Sequence, residues 1–178
     1  MNSDISRMIE LQRFWDTVLR CREEIRKAGE SIEYWKGRVD ECTRRVASLA
    51  ESIKLLKSSI GAREVDLATL EEKIARLEAR KDSVKTEREA AAVQTELATA
   101  TSERGALEEE ILLHMEELES KNAALADAEK EAEEVRKQSE TDIAMLEERI
   151  GRFTAQMDEH RARFDEGVSN LSAAVRPK

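Results

Sequence analysis

Cys21, Cys42, His114 and His160 are the side chains of this 178-residue sequence whose donors could bind a soft metal or move electrons. A tetrahedral zinc site needs about four such donors, with cysteines or histidines in pairs a few positions apart. The two cysteines are 21 positions apart, which is about 31 Å along one helix, and the two histidines are 46 apart. Each of the four falls on an apolar stripe, so the spacing predicts packed side chains in a reducing compartment and no metal or redox centre. Gly-rich phosphate loops are absent from the sequence. A nucleophile, a base and oxyanion donors need a concave, dry site, and a pair of helices forms none. The sequence therefore predicts no enzyme, no catalytic residues and no cofactor.

The elements that carry these residues are legible in the composition. Charged residues make up 39% of the chain and aromatic residues only 3%, too few large apolar side chains for a thick globular core. Six Gly and the single Pro177 stand in a background of Ala, Glu, Leu, Lys and Arg, which is the composition of long helices and coiled coils. No run approaches the roughly eighteen apolar residues of a membrane span, and the first twenty residues lack a signal-peptide pattern. A cytoplasmic location is the expectation. Residues 1–85 hold 18 Lys and Arg against 16 Asp and Glu, a net +2; residues 86–178 hold 12 against 23, a net −11. An acidic second half repels its own copy in a parallel dimer and suits the near-neutral first half. It also disfavours nucleic acid as a direct ligand, because phosphate binding relies on clustered Lys and Arg.

Apolar residues recur by alternate steps of three and four from Leu11 through Phe14, Val18 and Cys21 to Ile74 and Leu77, and one of these twenty positions, Arg63, is charged. Such a period of 3.5 predicts a left-handed coiled coil. A second, weaker seam runs from Val93 through Leu97, Ala100, Arg104, Ile111, His114 and Lys121 to Val135. It then steps four and four through Ser139 to Ile143, a stutter that locally unwinds the supercoil, and continues to Phe153 and Met157. Antiparallel pairing sets Leu77 on Ala90, Ile74 on Val93, Leu70 on Leu97 and Phe14 on Phe153, symmetrically about Ser83–Val84. Just past that midpoint, Thr86-Glu87-Arg88-Glu89 has the form of a capping box. The Thr86 hydroxyl accepts from the N–H of Glu89, and Glu89 reaches back to the N–H of Thr86. The reading is an all-α fold, a single long two-helix antiparallel coiled-coil hairpin over 1–178, with helix 1 at about 4–82, a tip at 82–86 and helix 2 at about 87–175. One uninterrupted helix in a parallel dimer would instead set Arg104, His114 and Lys121 against their own copies.

Two irregularities bear on function. In the symmetric pairing Arg63 and Arg104 share one layer, flanked by Gly61 and Gly105, and snorkel out to Glu64, Asp66 or Glu103; a bend at that level is the alternative. All six aromatic residues lie far from the tip, and of these Trp15 and Tyr34 fall off the seam, as do Ile5, Met8, Ile9 and Leu19. Off-seam apolar residues gathered at one end form a docking patch. The candidate partner-binding residues are therefore Met8, Trp15, Leu19 and Tyr34 at the base, with Val84, Lys85 and Arg88 at the tip.

The stretch "MIELQRFWDTVLR", the hairpin, and "SVKTEREAAAVQTELATATSERGALEEEILLHMEELE" after the turn resemble the bacterial C4-type zinc-ribbon proteins, long coiled-coil hairpins that carry a small C-terminal zinc ribbon. The family's tip commonly reads V-K-T-N-K-E-Y-x-A-L, to which Val84, Lys85, Thr86, Arg88 and Glu89 correspond. Glu87 stands in place of the Asn and Ala90 in place of the aromatic. The resemblance covers roughly residues 5–175. It implies a regulator that binds an alternative sigma factor, an RNA, or flagellar or type III secretion components. The ribbon needs two C-x-x-C pairs and this sequence has neither, so what the resemblance implies here is the protein-binding hairpin without the zinc-bound, nucleic-acid-facing part. The expected function is a non-enzymatic protein-binding adaptor; a structural spacer or chaperone-like tentacle in a larger assembly is the alternative.

Overall fold

The computed structural model describes the backbone of residues 2–171 and the side chains of residues 5–171. It is all-α: helix α1 spans Asn2–Lys81 and helix α2 spans Glu87–Ser169, and the two pack antiparallel as a hairpin. The expected end of the second helix near residue 175 lies outside the described residues. No Pro interrupts either helix. The apolar residues at three-and-four spacing supply the one buried stripe each helix needs. Every position of the first seam from Leu11 to Leu77 is buried or half-buried, and so is every position of the second from Val93 to Met157. Ser139, at the stutter, is only 4% exposed.

The turn forms for local reasons. Arg80 and Lys81 place positive charge in the last turn of α1, and Glu87 and Glu89 place negative charge in the first turn of α2, each complementing a helix dipole. The Ser83 N–H and hydroxyl both donate to the carbonyl of Arg80, closing the end of α1. Thr86 caps α2: its Oγ1 accepts from the Glu89 N–H at 3.3 Å. The other half of the predicted capping box differs, because the Glu89 carboxylate accepts from the Thr86 hydroxyl at 2.8 Å and not from its backbone N–H.

Packing divides the hairpin into two units, each built from both helices. The loop unit comprises Thr43–Glu131, and the terminal unit comprises Met1–Cys42 with Ala132–Lys178. In the loop unit the core gathers Ile74, Leu77 and fully buried Ala100, with Leu70 and Leu97 against it. Symmetric pairing set Ile74 on Val93, so α2 sits one heptad further along than expected. In the terminal unit Phe14 packs on His160, with ring centroids 5.7 Å apart, again one heptad beyond the expected Phe153. The loop explains the offset. A heptad occupies about 10 Å of helix. The five non-helical residues 82–86 can advance the chain by up to about 3.3 Å each, so the turn climbs as it reverses.

The offset also corrects the arginine layer. Arg63 and Arg104 do not face each other. Arg63 pairs across the helices with Glu110 at 2.9 Å and along its own helix with Asp66 at 3.8 Å, whereas Arg104 lies 3.4 Å from Glu108. Both helices run unbroken through Gly61 and Gly105.

Candidate docking surface

Along the start of α1 a second stripe accompanies the seam. Ile5, Met8, Gln12, Trp15 and Leu19 also step by three and four, but they are displaced to one flank of the helix. The seam residues Leu11 and Val18 are buried, while Met8, Trp15 and Leu19 stay 47%, 39% and 45% exposed. The Trp15 ring leans on Phe164 of α2, with centroids 5.1 Å apart and planes tilted by 39°. Between the two helices on this flank lies an open apolar groove of about 520 Å³, walled by Ile5, Met8, Ile9 and Trp15 from α1, by Phe164 and Val168 from α2, and by Leu171 just past the end of α2.

Glycine sets how closely the helices approach here. A Cβ on Gly167 would collide with Leu11 Cδ2, whereas one on Gly29, Gly37 or Gly151 would meet nothing within 4 Å. Leu11 thus beds into the notch left by Gly167 and is 7% exposed, and this brings Phe164 and Val168 beside Trp15. The opposite flank of the same unit is polar, lined by Arg7, Glu10, Arg163 and Glu166. There Arg7 donates to the carbonyl of Asn170.

Of the seven candidate residues, Met8 and Trp15 share the groove. Leu19 continues their stripe one step beyond its lining. Tyr34 does not join them: it packs edge-on against Trp35, 5.7 Å away, over a hollow with Lys27 and Glu30. Val84 is half-buried in the turn, and Lys85 and Arg88 are exposed. Sequence reasoning missed the contribution of Phe164 and Val168. Continuing the second seam past His160 by four and then three reaches Phe164 and Gly167, which would have placed Phe164, with Val168 one position past Gly167. It also missed Leu112, Leu113 and Met115 in the loop unit, all more than half exposed around buried Ile111.

Two solved structures share this fold. The chain superposes on the HP0958 protein from Helicobacter pylori with a TM-score of 0.77 at 18% identity, over 96% of this chain and 72% of that one. On CT398 from Chlamydia trachomatis the TM-score is 0.91 at 15% identity, over 98% and 74%. At such identities the likeness is one of fold alone. No family model and no curated protein matches the sequence.

Electrostatics elsewhere are those of solvated helix faces. Glu23 is held below the ordinary carboxylate range by its hydrogen bonds from Arg26, and Glu133 by Lys137 and then Arg136. The guanidinium of Arg26, which also bonds Glu30, is correspondingly pushed up. Between helices, Arg45 pairs with Glu131 at 2.8 Å in the loop unit and Arg149 with Glu24 in the terminal unit. The loop unit has its own hollow of about 550 Å³ over Leu70 and Leu107, but Asp66, Lys73, Arg76, Glu103 and Glu110 ring it with both signs of charge. Among the described residues no three His, Cys, Asp or Glu gather to hold a metal ion. Cys21 and Cys42 are buried free thiols. No described helix is long and apolar enough to cross a membrane.

Proposed function

We propose that this chain is a non-enzymatic adaptor that docks a protein partner on the Trp15 flank of its terminal unit. The observation that supports the reading is the Trp15–Phe164 pair, two large aromatics left partly open to solvent over an apolar groove. Aromatic side chains in that state are the residues that anchor protein interfaces. A structural spacer needs only its seams buried and gains nothing from such a flank. The partner class we favour is a cytoplasmic regulator, either an alternative sigma factor or a flagellar or type III secretion component. That choice rests on the resemblance of the tip and flanking sequences to the zinc-ribbon hairpins.

The test is Trp15→Glu. Because the side chain stands outside the seam, helicity and melting temperature stay near those of the parent, while partner affinity falls by more than about 1 kcal/mol. A large loss of stability would place Trp15 in the core. Unchanged binding with unchanged stability would move the docking site to the turn, where Val84, Lys85 and Arg88 are the next substitutions.

A further inference from the structure

We infer that the outward face of α2 around Leu112 and Leu113, in the loop unit, is a second docking surface, and that it takes a partner's α-helix whose apolar knobs are bordered by Lys or Arg. The inference goes beyond the adaptor reading and does not use the Trp15 flank. Its first support is geometry. Leu112, Leu113 and Met115 are 61%, 59% and 52% exposed, and among the described residues Met145 is the one other exposed large apolar side chain of α2. Glu109, Leu112, Leu113 and Glu116 stand at i, i+3, i+4 and i+7, the four positions that frame a hole for one knob of a facing helix. Leu112, Met115, Glu116 and Glu119 frame a second hole three residues on. All six side chains are exposed, while Ile111, His114 and Leu118 of the same turns are held on the seam with α1. Two holes offset by three are the footprint of successive coiled-coil knobs. From Glu109 to Glu119 the face runs about 15 Å, or roughly three helical turns.

The second support is charge. Residues 103–123 of α2 hold seven Glu against Arg104 and Lys121, a net −5. The facing stretch of α1, residues 51–71, holds Lys54, Lys57 and Arg63 against four carboxylates and adds −1. Most of these cations are already engaged: Arg63 with Glu110, Arg104 with Glu108, Lys121 with Glu117 and Lys54 with Glu51. Glu109, Glu116 and Glu119, which alternate with the apolar residues around the two holes, make no ion pair among the described residues. Glu116 and Glu119 also repel each other, being three apart on one helix. A helix that seats leucine-like knobs in the holes brings Lys or Arg beside them onto these carboxylates. Nucleic acid and anionic lipid are repelled by the same face, and a second copy of it would set Glu against Glu.

The experiment uses the full chain and two synthetic helices of about sixteen residues that share a leucine stripe at three-and-four spacing, one bordered by Lys and the other by Glu. Titration calorimetry at low salt compares the parent with Leu112→Ser plus Leu113→Ser, Glu109→Lys plus Glu116→Lys, the distant pair Glu129→Lys plus Glu134→Lys, and Trp15→Glu. All the substituted positions are exposed, so helicity followed by circular dichroism should match the parent. The Lys-bordered helix is expected to bind the parent at least about tenfold more tightly than the Glu-bordered one. Glu109→Lys plus Glu116→Lys should reverse that preference, and the leucine pair should weaken binding by at least about tenfold. The distant pair and Trp15→Glu should leave both affinities within about twofold of the parent. Equal affinity for the two helices, or binding of neither, overturns the inference. So does a preference that the distant pair removes equally well, since bulk charge then explains it. Binding that survives loss of both leucines, or that Trp15→Glu abolishes, likewise overturns it by seating the helix elsewhere. Partner binding by Trp15→Glu tests the adaptor reading separately, so either can fail without the other.

Discussion

Phe14 of α1 meets His160 of α2 with ring centroids 5.7 Å apart, although symmetric pairing of the hairpin assigns it to Phe153. The displacement is a whole heptad, the one error that leaves every seam residue on a seam. Pattern alone cannot distinguish registers related by seven, and only the path of the turn decides between them.

Cross-linking reads the register directly. With Cys21 and Cys42 replaced by Ala, the pair Ile74→Cys and Ala100→Cys should oxidise to an intrachain disulfide. Ile74→Cys with Val93→Cys should not, because its partners are displaced by about 10 Å along the axis. Efficient bridging of the second pair would restore the symmetric register.

The two seam arginines should behave as strangers. Arg63 has Glu110 and Asp66, and Arg104 has Glu108, so Arg63→Leu and Arg104→Leu should change stability independently. The double variant should equal the two singles combined to within about 0.5 kcal/mol. Coupling above about 1 kcal/mol in denaturant melts would mean that the two cations do share a layer.

Glycines separate by what stands over them. Gly151→Ala meets open space and should gain up to about 1 kcal/mol from helix propensity. Gly167→Ala should lose that gain or reverse it, because its new methyl displaces Leu11 Cδ2. Equal stabilisation by both substitutions, measured by thermal melting, would show that Leu11 moves aside freely.

The cap is a local and separable contribution. Removing the Thr86 hydroxyl with Thr86→Ala leaves the Glu89 N–H without its acceptor and should cost about 1 kcal/mol. Thr86→Ser should retain most of that. Similar melting curves for the two variants would mean that the turn is held by Ser83 and the carbonyl of Arg80 instead.

Glu23 offers a check by titration. Its pKa is lowered in the fold by hydrogen bonding to Arg26, so the pair's contribution is present above the ordinary carboxylate pKa and is lost as the pH falls through the lowered value. The contribution is small because both side chains are about half exposed. The Glu23 midpoint, followed by NMR, should rise toward its ordinary value in Arg26→Gln. No movement would mean that the pair is not formed in solution.

Much of this architecture is legible in the residues themselves. Leu11 to Leu77 and Val93 to Met157 mark the seams, and Thr86 and Glu89 mark where the second helix begins, because helix periodicity and end-capping are local. The register is not local: it depends on how far five loop residues climb, and Arg63 beside Glu110 follows from that climb. The docking flank lies between these cases. Met8, Trp15 and Leu19 announce themselves by falling off the seam, but Phe164 looks like one more core aromatic until Gly167 lets Leu11 sink and brings it alongside Trp15. Tyr34 shares composition with that group yet sits on a different part of the surface, since exposure says nothing about which neighbours a residue has.

The climbing turn and the Trp15–Phe164 contact together imply an order of assembly. Within the loop unit, partners such as Ile74 and Ala100 are joined through a short reversal and can zip early, whereas Arg7 and Asn170 lie 163 residues apart and face the largest entropic obstacle to meeting. A third of the groove lining, Phe164, Val168 and Leu171, comes from residues 164–171, so a nascent chain emerging from the ribosome carries α1 with its aromatic stripe uncovered until those residues are made. Until residue 168 is in place, Leu11, Val18 and Trp15 form a single sticky face. That interval, more than the finished hairpin, is when the chain is most exposed to wrong partners and to holdase chaperones.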